Sequence, residues 1–541
     1  MLKKFVFVLL SILFVAGLNT SCAQNPATVA PPANTVVAPP VSTVVATSVS
    51  TVVATSVIPG VAPTGTKMKD TLIIGSSADI NSLDLLTQND QINNIVLKLT
   101  HETLLFDSNK AEISGELAES WNYTNDTTLV VKLKQNVKFS DGTPMTADDV
   151  KFTYDMCLKS NDSNLLAGLK SVDVLDPYTV QLNLDSYDNE FLVNLTAINV
   201  GIQSKKAYDS GMDKPYLIGT GQYVFKEWVS GDHLTLVKNQ NYWDPANAGN
   251  AATIIFRPIL EGSSRTIALQ NGEIDVAIDP PLTELDILGK DPNIIVHEQP
   301  GTRMFYFAFN TSKAPWNNKL LRQAVATAIN KQDVITVAVN GKGTPQTTLL
   351  NRGLWGFYDD MPGYPFNVDN AKQLMAQAGY PNGGVATTLL IANTDPYSNI
   401  ATVIQSELKA IGIDVTIKVV DSATLKQACV DGTQDLFLWR WNEDQKDDWV
   451  YGDLYRSNSP YNYDHYNNPA ADALILKVRI EKDQTQRMAD GITLQKLLVD
   501  DSPTVPLYLA NLVIAYNKNL QGDYFFGGGN HDWSHAYIAL P

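Results

Sequence analysis

The chain of 541 residues has only three cysteines, Cys22, Cys157 and Cys429, and no C-x-x-C pair. That count fits neither a disulfide framework nor a paired-cysteine zinc site. Basic residues are scarce beside acidic ones: 40 Lys and Arg against 57 Asp and Glu leave a net charge of -17. Such a balance repels nucleic-acid phosphates and disfavours an anionic membrane surface as the main target. Histidine is rare as well. Only His531 and His535, in "GGGNHDWSH", stand at i, i+4, and the glycines before them read as a loop, not as a metal-holding helix. Enzyme signatures are missing, with no H-E-x-x-H, no P-loop, no G-x-S-x-G elbow and no G-x-G-x-x-G. What remains is 44% hydrophobic and 18% charged, the composition of a folded globular protein of several domains or two large ones.

The N-terminus is specialised. Lys3 and Lys4 precede the apolar run Phe5–Leu18, and small residues follow. The run falls short of the roughly 20 apolar residues that span a bilayer, and it suits the core of a signal peptide. "GLNTSC" resembles a bacterial lipobox, with Asn19 where leucine is usual. Residues 1–22 are therefore expected to be a signal segment, with Cys22 as the lipidated new N-terminus; ordinary cleavage among "TSCA" is the alternative, and either exports the protein. Residues 23–68 are rich in Ala, Val, Thr, Ser and Pro, and the octad "VSTVVATS" occurs twice in succession from Val41. With nothing amphipathic to bury, this stretch is expected to be a disordered tether with a reach of roughly 35 Å.

After Lys67 strand patterns alternate with helix patterns, which argues for α/β lobes. "TLIIGSS" is a short buried strand. "TADDVKFTYDMCL" opens with a Thr146/Asp149 capping arrangement, and its Cys157 sits among apolar neighbours as a buried thiol. In "KLLRQAVATAINK", Leu321, Ala324, Val325 and Ala328 mark one helix face. "DNAKQLMAQAGY" opens on Asp369 as N-cap and closes on Gly379 as the residue after the C-cap. Beyond residue 70 no stretch reads as a linker, so strand crossings are expected to join the lobes.

"IDVTIKVV" alternates Ile413, Val415, Ile417 and Val419 with polar residues, a half-buried strand. A short helix follows, capped by Asp421 or Ser422 and stopped by Gly432, and "DLFLWRW" reads as a second strand. This βαβ unit delivers the acidic loop "NEDQKDD", with Glu443, Asp444, Asp447 and Asp448, to the carboxyl edge of the sheet, where ligands bind in open α/β folds. The loop is open to three readings: a solvated face, a Ca²⁺ loop that lacks the alternating ligand pattern, and a carboxylate held at a cleft for a ligand's ammonium or hydroxyl. Trp439 and Trp441, sharing a strand face as stacking surface, favour the third.

The segment "GELAESWNYTNDTTLVVKLKQNVKFSDGTPMTADDVKFTYDMCL" (115–158) resembles the signature of the family 5 extracellular solute-binding proteins, the oligopeptide-, dipeptide- and nickel-binding group of ABC importers. The resemblance continues through "GTGQYVFKEWVSGDHLTLVKNQNYWD" (219–244), "LQNGEIDVAI" (269–278), "FAFNTSKAPWNNKLLRQAVATAINK" (307–331) and "NVDNAKQLMAQAGYPNG" (367–383), covering residues 70–541. It implies an α/β, two-lobed periplasmic-binding-protein-like fold with a large first lobe and a ligand cleft between lobes. Lobe I would take residues 69–306 with 511–541 returning to it, and lobe II residues 307–510.

Peptide binders of the family carry W-x-x-D, whose aspartate grips the peptide α-ammonium; Trp441 and Asp444 match it here. Asp447 matches a second family aspartate, with Asp448 in place of the usual proline. Dipeptide binders hold the ligand carboxylate with an arginine before Pro-Tyr, where "TDPY" sets Asp395 ahead of Tyr397. A dipeptide in that mode would turn its carboxylate toward another carboxylate, whereas longer peptides stay open. So do oligosaccharides, which would stack on Trp355, Trp439 and Trp441. The "GTGPY" turn of the family reads "GTGQY", with Gln222 for proline. The expected protein is a monomeric, exported, lipid-anchored solute-binding protein on the extracytoplasmic side. It would pass a peptide to the membrane permease of an ABC transporter without a cofactor and without covalent chemistry. The competing classes are a glycosidase using Asp444 with Asp395, to which the resemblance gives no catalytic role, and a scaffold with a vestigial cleft.

Overall fold

The computed structural model describes residues 62–541 apart from 64, 88–89, 108–112, 161–162, 352–353, 443–448 and 523–530. The leader, Cys22, most of the tether, Asp444 and Asp447 thus lie outside the described residues. An 11-stranded sheet is the main element. From one edge its strands run Ile413–Val420, Val385–Ala392, Leu436–Asn442, Ile294–Phe309, Thr504–Asn517, Val276–Ile278, Thr71–Ser76, Thr253–Pro258, His233–Lys238 and Tyr223–Val229, with Gly343–Pro345 paired to Thr504–Asn517 as a side branch.

Two of these strands are unusually long: Ile294–Phe309 has 16 residues and Thr504–Asn517 has 14, well beyond the usual five or so. They pair antiparallel, with irregularities between Pro300 and Met304 and between Phe305 and Tyr306. Their two ends serve different cores. Met304 to Phe309 pack into a buried apolar cluster drawn from residues 304–509. Ile514 and Tyr516 pack into another that holds Leu72, Leu99, Phe256 and Trp533. The chain therefore passes between cores along two paired strands. At the first irregularity a Cβ on Gly301 would stand 2.5 Å from the Ala510 carbonyl oxygen, so only glycine lets the two strands approach there.

A third cluster, residues 104–202, is built on the separate four-stranded antiparallel sheet. Its helix Ala147–Cys157 starts as the sequence predicts: the Asp149 carboxylate accepts from the Thr146 backbone N–H at 2.8 Å. Cys157 and Cys429 are both buried and not in disulfides. The periodic face Leu321, Ala324, Val325 and Ala328 is wholly buried in helix Lys319–Ala328.

The βαβ unit is present with one addition. Ile413–Val420, helix Ser422–Val430 and Leu436–Asn442 follow in order, but Val385–Ala392 lies between the two strands, parallel to both. Asp421 caps the helix by accepting from Thr424 N at 2.9 Å. The cap of helix Val368–Gln377 is Asn367, which accepts from Asn370 N at 2.9 Å; Asp369 instead falls in the first turn, where its charge suits the helix dipole. Gly379 is left-handed (φ 98°) after the C-cap.

The "NYWD" and "GTGQY" stretches converge on one buried acidic pair. Tyr242 Oη and Trp243 Nε1 each donate to the Glu102 carboxylate at 2.8 Å, and the Thr103 backbone N–H and hydroxyl donate to Glu116 at 2.6 and 2.7 Å. Gly219 and Gly221 press on the same segment, since a Cβ on either would come within 2.5 Å of the Thr100 backbone. Burial raises the Glu102 carboxyl above its ordinary range. Burial, and then the Glu102 charge, push Glu116 up to about 8 from 4.5. The stability held in the protonated pair is therefore present below pH 4.5 and lost as pH rises through about 8. Glu116→Gln keeps the acceptor for Thr103 and removes the titration. It is expected to lose less Tm than the parent between about pH 5 and about pH 9; equal losses would remove the pair as a source of pH dependence.

Candidate ligand-binding cleft

Where the strands Thr71–Ser76 and Val276–Ile278 end, the chain opens onto a cavity of 520 Å³. This lies inside the range of about 300–1,000 Å³ usual for small-ligand sites. One wall comes from these strand ends and the start of helix Gln91–Thr100: Ser77, Asp79, Asp90, Gln91 and Asp279. The other comes from Arg303 on Ile294–Phe309 and Arg440 on Leu436–Asn442.

Strand register explains why both arginines are there. Arg303 lies opposite Asn442, and Phe305 opposite Arg440. Directly opposed residues of an antiparallel pair share a face, so Arg303, Phe305 and Arg440 point the same way as diagonal neighbours. Phe305, on the same face, is buried beneath, stacked on Tyr508 at 5.1 Å and met edge-on by Tyr397 at 5.7 Å. Arg303 Nη2 donates to the Gln91 side-chain oxygen at 3.3 Å. Asp279 adopts the left-handed region at φ 50°, rare for a non-glycine, and its carboxylate accepts from the Ser77 hydroxyl at 3.2 Å. The Arg265 guanidinium donates to the Asp279 carbonyl and so braces that bend.

The electrostatics follow from the concave shape. The Arg440 side chain is open to solvent, yet the surrounding walls desolvate it enough to lower the guanidinium from its ordinary value. The Arg303 charge lowers it further, and Tyr397 and Asp279 oppose the shift. Arginine remains protonated throughout. Burial pushes the Tyr397 hydroxyl up to about 12, with Arg440 and Arg303 pulling the other way, so this residue stays a neutral donor.

Of the residues singled out in the sequence, Tyr397 is buried edge-on against Phe305, near enough for the Arg440 and Arg303 charges to act on it, and does not line this cavity. Trp439 and Trp441 do share a strand face, but it is the face opposite Arg440. They meet Tyr463 and Tyr461 edge-on, at 5.2 and 5.7 Å, and do not line this cavity. Trp355 lies under the Arg487 guanidinium, 3.8 Å from its ring centroid, and is also absent from the lining. Asp395 is exposed at the turn before helix Tyr397–Lys409. His531 lines the cavity and packs on Trp533 at 5.2 Å, while His535 Nε2 lies 3.1 Å from the Asn247 carbonyl. Among the described residues no group of three or more His, Cys, Asp or Glu is placed to hold a metal ion. Sequence reasoning passed over Arg303, Arg440 and Asp279. The available signal was a lone arginine at position 440 inside the otherwise apolar strand "LFLWRW".

Residues 112–463 match the bacterial extracellular solute-binding proteins, family 5 Middle. The chain belongs to this family. It is 30% identical over 477 residues to the probable D,D-dipeptide-binding periplasmic protein DdpA of Escherichia coli K12, covering 84% of this chain and 92% of that one. It is 26% identical over 473 residues to the glutathione-binding protein GsiB of the same organism, covering 83% and 91%. Among solved structures, the periplasmic binding protein DppA of Helicobacter pylori in complex with the peptide STSA superposes with a TM-score of 0.75 at 28% identity, over 87% of this chain and 98% of that one. The fold is accordingly the two-lobed α/β fold of these binding proteins.

Proposed function

We propose that this family member captures a short peptide in its cleft and hands it to the membrane permease of an ABC transporter, without covalent chemistry. The observation that carries the reading is the cavity of 520 Å³, whose walls hold guanidiniums on one side and carboxylates on the other. Such walls suit a solute charged at both ends. The named relatives support it, since D,D-dipeptide, glutathione and STSA are all small peptides. Lobe I is taken as 69–306 with 511–541 and lobe II as 307–510, closing about the two long strands. Asp444 lies two residues beyond the end of the cleft strand in sequence, and in this reading it receives the peptide ammonium, with Asp447 three residues further on. Export, lipidation at Cys22 and the tether 23–68 keep the monomer at the extracytoplasmic membrane surface.

The test is thermal stabilisation of the chain from residue 67 onward by peptides and by oligosaccharides. A ligand at about 100 times its Kd adds about 2.7 kcal/mol to folding stability. Stabilisation by peptides is the expected result; stabilisation by sugars alone would overturn the peptide reading. Asp444→Asn is expected to weaken a peptide with a free N-terminus about tenfold or more while leaving the N-acetylated peptide unchanged. Equal affinities in parent and variant would remove Asp444 from the site.

A further inference from the structure

We infer that the core of residues 304–509 holds a second, smaller binding site away from the cleft, a chamber beside Lys331 that takes a monovalent inorganic anion of halide size. The site is independent of the peptide-capture reading. The chamber measures 30 Å³, room for about two water-sized species. Its walls come from Lys331, which opens the helix Lys331–Val339, from Gln495 and Leu498 on Gln484–Asp501, from Tyr455 on Trp449–Tyr455, and from Thr504 at the root of a long strand.

Charge is the first observation. The Lys331 amine donates to the Gln346 carbonyl and forms no ion pair among the described residues. Burial alone lowers its ammonium from 10.5 to about 8, with no carboxylate acting on it to oppose the shift. The acids around this helix start do not supply the missing charge. Asp333 accepts from the Asn330 side-chain amide at 2.8 Å. Glu407 faces Asn330 and Asp333, and burial raises its carboxyl to about 8, so it is mostly protonated at neutral pH. A desolvated ammonium without a counter-charge is costly, and an anion in the chamber removes that cost.

The hydrogen-bond inventory is the second. An ammonium has three N–H donors, and the Gln346 carbonyl takes one. The hydroxyls of Tyr455 and Thr504 share one hydrogen bond at 2.5 Å, which uses one of their two protons and leaves the other for a further acceptor. Facing these donors, the Gln495 side-chain oxygen is a buried acceptor that meets no partner among the described residues; its amide nitrogen already donates to the Gly356 and Gly491 carbonyls at 2.8 and 3.3 Å. An anion accepts from the ammonium and the spare hydroxyl, and one water beside it donates both to the anion and to Gln495. Water alone would leave the charge unanswered. Phosphate, sulfate and carboxylates exceed the volume, whereas a halide is close to water in size. Gln346 follows the strand Gly343–Pro345, and its N–H donates to the Leu507 carbonyl at 3.2 Å. The anion therefore joins a helix start, this side branch and the root of the strand Thr504–Asn517 that passes between cores.

The experiment uses the full chain with bromide and chloride as probes. Crystals soaked in sodium bromide are measured at the bromine absorption edge, and an anomalous peak within hydrogen-bonding distance of Lys331 Nζ is expected. In solution the thermal midpoint is followed as chloride replaces gluconate, which is too large for the chamber, at constant ionic strength. The parent is expected to show a saturating rise of about 1 °C or more. Lys331→Met, which keeps the apolar stem, is expected to show none, and Thr504→Val to need more chloride for the same rise. Absence of a peak in the chamber would overturn the site, as would the same chloride response in the parent and in Lys331→Met. A peak without a saturating response in solution would mean an adventitious ion only and would overturn it too. If Lys331→Met fails to fold, the parent crystals and the Thr504→Val response still decide. Neither readout involves a peptide, so failure here leaves peptide capture standing.

Discussion

Replacing Arg479 with alanine is expected to destabilise the protein by about 3–5 kcal/mol, the cost of removing one partner from a buried ion pair. Arg479 lies in the last turn of the helix Pro469–Ile480, whose Ala471 and Ile475 belong to the core of residues 304–509. Its guanidinium grips Asp188 through Nε and Nη2 at 2.8 and 2.7 Å and reaches Glu190 at 3.5 Å. Those residues enter the helix Glu190–Asn194, whose Phe191 belongs to the core of residues 104–202. Side-chain exposures of 17% for Arg479, 15% for Asp188 and 6% for Glu190 mean that water does not replace the lost partner. Next to it, the Asn189 side-chain amide donates to the carbonyls of Arg479 and Glu481 at 3.1 and 2.6 Å, which holds the two segments in register. The tie joins two cores at a place away from the long strands. Urea unfolding is the measurement, read as a lower midpoint with the slope unchanged. Adding Asp188→Asn to the alanine variant is expected to restore part of the loss, because the stranded charge is what costs most. A shift below about 0.5 kcal/mol, as for ordinary surface sites, would show that the tie is not maintained in solution.

Arg322→Met is expected to cost about 3 kcal/mol or more, since several charge-assisted hydrogen bonds vanish and their carbonyls stay buried. Arg322 is 5% exposed, within the helix Lys319–Ala328. It donates through Nη1 to the Trp316 carbonyl at 2.8 Å and through Nε to the carbonyls of Asp501 and Ser502 at 3.0 and 3.1 Å. Asp501 ends the helix Gln484–Asp501, and Ser502 turns the chain in the left-handed region (φ 47°) into the strand Thr504–Asn517. The guanidinium thus satisfies helix-end carbonyls that have no intrahelical partner and anchors the root of one long strand. Burial lowers the Arg322 guanidinium from its ordinary value, and the nearby Asp464, raised by its own burial, would lose its closest opposing charge. Methionine keeps the apolar stem of the arginine, so the measured loss reports the polar contacts. An unfolding midpoint equal to that of the parent would mean that these carbonyls find water instead.

Both arginines illustrate which parts of the molecule were legible beforehand. Features set within a few residues were readable. The strand Ile413–Val420, the cap at Asp421, the buried stripe from Leu321 to Ala328 and the turn at Gly379 depend on periodicity and on backbone preferences that short stretches carry. The Asn367 cap was displaced onto Asp369 because both side chains can cap and only the final geometry chooses. Arg322 sits in the polar part of its helical repeat, so periodicity assigned it no place in the core. Its burial comes from carbonyls more than 170 residues away in sequence.

The same division holds at the cleft. Alternation within one strand required Trp439 and Trp441 to share a face and put Arg440 on the other. Family membership, the α/β class and the ending of that strand beside an acidic loop were also present in the order of the residues. Which face looks into the cavity depended on the neighbours. Val385–Ala392 inserts between two strands adjacent in the chain, Ile294–Phe309 brings Arg303 diagonal to Arg440, and Tyr461 and Tyr463 cover the tryptophans. Local sequence determines a residue's side of its own strand, because the pleat alternates every residue; the packing of strands remote in sequence decides whether that side meets solvent, core or ligand.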